Sequence, residues 1–202
     1  MRLRRPILTA LGALAALAID LPAQAHPHIW IEATVEVAIP QDRIDQVRIG
    51  WTYDEYFSAA LIDEFDRDRN RRFEPAEIKR LESAVLAPAI EFHFYAQARV
   101  RDRRIWAKAV RDFTAEIKGE LVTFRFTLDM PEIKVDPRQE PVALALFDET
   151  YYVEIDLPKR RSVTLTGDGA AGCSATIGED AQTPLFGGAA YPQLVTLSCG
   201  AR

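Results

Sequence analysis

The sequence predicts an α+β fold: mainly an antiparallel β sandwich or rolled sheet, with an inserted EF-hand-like helix–loop–helix. Three observations predict it. Residues 28–39 alternate apolar and polar side chains almost without a break, and residues 55–87 change to a helical period around an acidic twelve-residue loop. Beyond Pro88 the chain returns to short apolar runs separated by turn residues.

The chain opens with Arg2, Arg4 and Arg5, an apolar run over 6–19 and the small-residue segment Ala23-Gln24-Ala25. That three-part layout is a secretory signal peptide, residues 1–25, cleaved after Ala25. The apolar run is shorter than the roughly 20 residues a membrane span needs. Residues 26–202 are therefore expected as a single periplasmic domain with no membrane span after signal removal. The whole chain carries 30 acidic against 25 basic residues, a net charge of −5. Loss of the leader removes three arginines against one aspartate, so the remainder is more acidic still, and nucleic acid is excluded as an expected partner.

In the first strand Ile29, Ile31, Ala33, Val35, Val37 and Ile39 share one face. His28, Trp30, Glu32, Thr34 and Glu36 share the other, the period of a half-buried strand. Pro40 to Arg43 form a turn, and Ile44, Val47, Ile49, Trp51 and Tyr53 make the second strand of a hairpin. Phe57, Leu61 and Phe65 then take helical spacing. Pro75 opens a second helix, where its missing N–H would lack a partner anyway, and Pro88 closes it. Further strands are expected at 91–100, 105–111, 113–117, 121–128, 142–147, 151–157 and 163–166. The run 142–147 is apolar throughout and is expected at the centre of a sheet. Residues 167–190, rich in glycine, alanine and polar side chains, read as a weak tail. The two cysteines, Cys173 and Cys199, are expected to form a disulfide that ties this tail down, as an even pair does in an oxidising compartment.

Cleavage after Ala25 makes His26 the first residue, so its amine and ring nitrogen can chelate one ion. His28 follows two positions on. Together they offer nitrogen donors suited to Cu, Ni or Zn. Pro27 excludes the square-planar amino-terminal site, which requires a deprotonated amide at the second position. His93, after Phe92, reads as a local packing residue.

Residues 66–77 follow the calcium-loop pattern, with oxygen donors at Asp66, Asp68, Asn70, Glu74 and Glu77 and apolar Phe73 at the eighth position. Calcium is opposed by Arg71, where the turn asks for glycine, and by four arginines within the loop. The loop is expected to be a degenerate one, held by Arg–carboxylate pairs. No Ser-His-Asp set, phosphate-binding glycine loop or zinc-protease motif is present. A copper brace at an N-terminal histidine is the one catalytic arrangement on offer, and the chain reads as a non-enzyme.

The segments HPHIWI at 26–31, WTYDEYFSAALIDEFDRDRN at 51–70, Phe147-Asp148 with Thr150-Tyr151-Tyr152, and Gly172-Cys173 with Cys199 occur in an order that resembles family 1007 of domains of unknown function. Its members are often labelled a periplasmic component of an ABC-type transport system. The resemblance implies handling of transition metals near nickel/cobalt transporters. By position it assigns motif status to His26, His28, Asp54 and Asp148, and to Asp66, Asp68, Asn70 and Glu77. Asp54 and Asp148 would be carboxylate partners of the histidines. Arg71 stands where the family has glycine and Glu149 where it has proline. A single domain is also too small for a two-lobed solute-binding protein. The expected function is a periplasmic transition-metal-binding accessory protein, passing the ion to or from a membrane metal transporter. The alternative is a non-catalytic structural or interaction module docking on such a transporter, with metal incidental.

Overall fold

Alternation along β1 (Ile29–Ala38) buries Ile31, Ala33, Val35 and Val37 and leaves Trp30, Glu32 and Thr34 outward, as period two requires. A computed structural model describes residues 27–200; the segment expected as a leader, His26 and the last two residues lie outside the described residues. β1 pairs antiparallel with β2 (Gln46–Tyr53), which pairs with β6 (Leu121–Asp129), itself beside β5 (Ala109–Lys118). On its other edge β1 runs parallel to two short strands in succession, β8 (Val153–Asp156) and β9 (Val163–Thr166). The second sheet has the order β10-β11-β7-β3-β4 and is antiparallel throughout. Its strands are β3 (Ala96–Val100), β4 (Arg103–Trp106), β7 (Val142–Leu146), β10 (Cys173–Glu179) and β11 (Gln193–Cys199). The two sheets share one core, in which Trp51, Phe124 and Phe126 of the first meet Ala98, Leu144 and Val195 of the second. The mainly β, two-sheet architecture is the expected one, and β7 lies at the centre of its sheet.

Two helices separate β2 from β3: α1 (Glu55–Phe65) and α2 (Pro75–Ala89). Ser58, fully buried, pins α1 to the first sheet. Its hydroxyl donates to the Tyr53 carbonyl at 3.1 Å and accepts from Val122 N–H at 2.9 Å. Leu61 and Phe65 of α1 and Leu81 and Leu86 of α2 then enter the shared core.

Five local expectations need correction. Pro88 does not end α2. It is exposed, so the carbonyl that loses its N–H partner faces water, and the helix continues to Ala89 before a 3-10 segment, Ile90–Tyr95. That segment replaces the first half of the strand expected at 91–100; His93, Phe94 and Tyr95 have φ of 51°, 55° and 54°, which no strand accommodates. The strand expected at 105–111 is two strands in different sheets. Ala107 N–H bonds back to Ala96 of β3 while Lys108 N–H bonds to Asp129 of β6, so the chain changes sheet between adjacent residues. The stretch 113–117 belongs to β5, which is interrupted by a bulge between Arg111 and Thr114. Finally, the weak tail contains β10, paired with β11 along seven positions. Cys173 stands opposite Cys199 in that ladder, and the two form the expected disulfide.

Candidate functional site

The segment opening β1 is held from both sides. On one side lies the turn between β7 and β8. Asp148, only 3% exposed, accepts Thr150 N–H (2.9 Å), Tyr152 N–H (3.1 Å) and Val153 N–H (3.0 Å), and also the Thr150 hydroxyl. An aspartate bonding the backbone two residues on is the usual Asx-turn device. The turn so formed presents the Tyr152 carbonyl to His28 N–H (2.9 Å) and Ile29 N–H (3.3 Å). On the other side Asp54 caps α1. One carboxylate oxygen takes Tyr56 and Phe57 N–H at 2.9 Å each, and the other takes Trp30 N–H at 3.0 Å. Trp30 returns the contact by accepting Asp54 N–H at 3.0 Å.

Three segments far apart in sequence therefore meet at the head of β1: 28–30, 53–57 and 147–153. They carry His28, Asp54 and Asp148, all singled out from the sequence. The His28 side chain is exposed, its ring centroid 4.8 Å from that of Tyr152. Trp30, Tyr56 and Tyr152, one on each of the three segments, are exposed. Both carboxylates are engaged with backbone N–H groups, so what the structure shows for Asp54 and Asp148 is support of the strand. His26 lies outside the described residues. Thr150 and Tyr152 belong to a motif quoted from the sequence, but no role was assigned to them there. The signal was available in Asp148-Glu149-Thr150, an Asx-turn pattern directly before a strand.

The family whose model matches is described as protein of unknown function (DUF1007), and the match covers residues 11–184. This chain belongs to the DUF1007 family. No curated protein matches it. All three segments of the DUF1007 member that gather at the head of β1 lie within the matched stretch, whereas β11 and Cys199 lie beyond it.

The other acidic site of this DUF1007 chain is the loop between α1 and α2. Asp66, Asp68 and Glu77 bring ligand-type oxygens within 4.8 Å of one another, the one such group of three or more among the described residues. Asp66, 4% exposed, accepts Asn70 N–H (3.1 Å) and Arg71 N–H (3.0 Å). Glu77 accepts Arg67 N–H (2.8 Å) and Glu74 N–H (3.1 Å), the latter forming a capping box at the start of α2. Contact with the Glu74 side chain first, then these two N–H groups, holds the Glu77 carboxyl below its ordinary range against the effect of burial. The Asn70 amide donates to Asp68 (2.8 Å) and Glu74 (2.5 Å). The expected Arg–carboxylate pairs are not what shapes the loop: among the described residues none of Arg67, Arg69, Arg71 and Arg72 forms an ion pair. Backbone N–H groups reach the carboxylates first because the loop folds around them, and Arg71 instead donates to the Gly119 carbonyl at 2.6 Å.

His93 is exposed and packs locally, its ring 5.1 Å from that of Trp106. Burial, with the Asp148 carboxylate second, pushes the Tyr95 phenol up to about 12.

Proposed function

We propose that this DUF1007 member is an exported, non-catalytic accessory protein that binds one transition ion (Ni, Co, Zn or Cu) at the head of β1 and exchanges it with a membrane transporter. The observation that carries the reading is the placement of His28. Its imidazole is exposed while its backbone is fixed by the Tyr152 carbonyl, so one nitrogen donor is presented at a set position where the mature chain would begin. His26 adds a second imidazole and, after cleavage behind Ala25, the terminal amine. These are borderline nitrogen donors of the kind that late first-row ions prefer. Asp54 and Asp148 act here by holding the strand that displays the histidines. The exposed aromatic side chains of Trp30, Tyr56 and Tyr152 form the surface a transporter would meet. Calorimetric titration of the mature protein with each ion tests this. One equivalent of a transition ion is expected to bind, with affinity falling by more than about tenfold in His28→Ala, a loss above 1.4 kcal/mol. Equal affinity in that variant would remove the proposal.

We also infer that residues 55–87 are an EF-hand-like module that closes without calcium. Arg69 and Arg71, at the fourth and sixth loop positions, have φ of 59° and 65°, the left-handed geometry that such loops impose there. Each costs about 1 kcal/mol or more relative to glycine. The Asp66 and Glu77 bonds to backbone N–H, and the Asn70 amide between Asp68 and Glu74, offset that cost. They fill the positions that a cation would otherwise organise.

A further inference from the structure

On the outer face of the first sheet, where β1 and β2 meet the start of α1, runs an open groove of about 420 Å³. Trp30, Glu32, Thr52, Asp54, Glu55 and Tyr56 line it. Trp30 is 49% exposed and Tyr56 90%, so two large rings are offered to solvent beside one groove. Exposed apolar surface gathered in this way marks an interaction site. The charge around it is of one sign. Register sets Glu32 of β1 directly beside Asp156 of β8, and Trp30 beside Glu154. Partners in register share a face, so Glu32, Glu154 and Asp156 all project outward from the sheet. Like charges side by side on neighbouring strands repel and cost stability. Among the described residues, none of Glu32, Glu55, Glu154 and Asp156 forms an ion pair. Arg48 and Arg125 of the same face pair with Glu36 and Glu116, and the turn Lys159-Arg160-Arg161 pairs with none of the four. Glu154 is met by the Tyr151 hydroxyl, which leaves its charge unbalanced. Nor do these carboxylates converge on a metal: the one group of three whose ligand atoms lie within 4.8 Å of one another, among the described residues, is Asp66, Asp68 and Glu77.

We propose that this groove docks a basic, extended segment of a partner protein, with arginine or lysine at alternate positions, whose cationic heads meet Glu32, Glu154 and Asp156 and stack on Trp30 and Tyr56. Carboxylates spread over neighbouring strands suit several separate cationic side chains better than one ion. Glu154 and Asp156 stand two residues apart on one strand, about 6.7 Å, which is also the repeat of alternate side chains in an extended chain. A guanidinium can pair with a carboxylate and stack on an aromatic face at once. The same charges repel an anionic lipid surface. The inference deepens the function proposed above by giving the chemistry of the transporter segment, and it rests on that reading for the partner being a transporter.

The probe is the peptide acetyl-Gly-Arg-Ser-Arg-Gly-amide, with citrulline in place of both arginines as a neutral control of nearly the same shape. It is titrated into the mature protein with a chelator present, so that no metal takes part. The chain has three tryptophans, so its ¹⁵N–¹H spectrum offers three indole signals, and Trp30→Phe assigns the exposed one. The arginine peptide is expected to shift the Trp30 indole saturably and to bind about fivefold or more tightly than the citrulline peptide. Its affinity should fall between about 0.1 and about 1 M salt, as the screening length shortens from roughly 10 to roughly 3 Å. Glu32→Gln/Asp156→Asn should melt no lower than wild type, because a like-charge contact is gone, and should bind the arginine peptide about fivefold more weakly. The proposal is overturned by any of three results: no saturable shift at Trp30, equal affinity for the citrulline peptide, or unchanged affinity in Glu32→Gln/Asp156→Asn. Metal affinity is read separately through His28→Ala. Peptide binding by a protein that takes up no transition ion would remove only the metal reading, and metal binding without peptide binding would remove only this one.

Discussion

Asp148→Ala is the most informative single change, because one buried carboxylate orders the turn that fixes His28. Four donors converge on it: three backbone N–H groups and the Thr150 hydroxyl. They do not count equally. Thr150 and Tyr152 are exposed, so their N–H groups can turn to water when the acceptor is removed, whereas Val153 is buried and starts β8. A hydrogen bond to a charged acceptor contributes about 1.5–3 kcal/mol, and an orphaned buried donor costs about 1–3 kcal/mol. Counting the Val153 bond in full and the other two at a fraction gives a loss of about 2–3 kcal/mol. With a urea slope of about 1–3 kcal/mol per molar, the unfolding midpoint should fall by on the order of 1 M without a change in slope. Asp148→Asn keeps one acceptor oxygen and should lose about half as much. The same variants should weaken transition-ion binding, because the Tyr152 carbonyl no longer fixes His28. If Asp148→Ala costs less than about 0.5 kcal/mol, the turn is held by something else and the reasoning fails.

Three further outcomes follow from the geometry. Cys173→Ser/Cys199→Ser should lower stability by roughly 3 kcal/mol in denaturant melts, since the bridge closes a loop of 26 residues in the unfolded chain; an unchanged midpoint would show that the β10–β11 ladder alone secures the segment. Burial would raise the Asp180 carboxyl, but hydrogen bonds from Arg99, Thr183 and the Gln182 N–H outweigh it and hold the group below its ordinary range. Its contribution is thus complete above the unfolded value of about 3.9 and disappears as pH falls through the lower folded value. The stability gap between wild type and Asp180→Asn should accordingly stay constant from pH 7 to about 5 and shrink below about 4; a gap that widens in acid would refute the sign. Calcium at 1 mM should leave the melting temperature unchanged. A site with a dissociation constant a hundredfold below that concentration would add about 2.7 kcal/mol and raise the melting temperature by several degrees, which would show that the loop takes the ion after all.

Much of the fold was legible because period two and period 3.6 are direct consequences of burying one face. β1 and both helices follow that rule closely, whereas β2, β6 and β7 were legible as short apolar runs because they are buried largely on both faces. The failures have specific causes. The stretch from Ile105 to Val110 is apolar apart from Lys108, yet the chain passes from one sheet to the other at Ala107–Lys108, and a local pattern carries no information about which sheet a strand joins. β10 is built from small and polar residues that are only half-buried, so its alternation is too shallow to read. The left-handed turn at 93–95 uses His, Phe and Tyr in place of glycine, so the sequence carried no marker for it. For the site, His28, Asp54 and Asp148 were found by residue type and motif order, but their convergence depends on the parallel pairing of β1 with β8, which no short-range pattern encodes. The loop at 66–77 was legible in its ligand spacing, while the choice of backbone N–H over arginine partners emerges only in three dimensions.

The central claim is that the head of β1, with His26 and His28, binds a transition ion. Native mass spectrometry of the protein exported from its own cell tests it most directly, run with and without added Ni, Cu, Zn and Ca. The account predicts a chain beginning at His26, carrying one tightly held transition ion that is lost in His28→Ala, and no calcium. A chain that begins elsewhere, or one that takes up no transition ion, would contradict it.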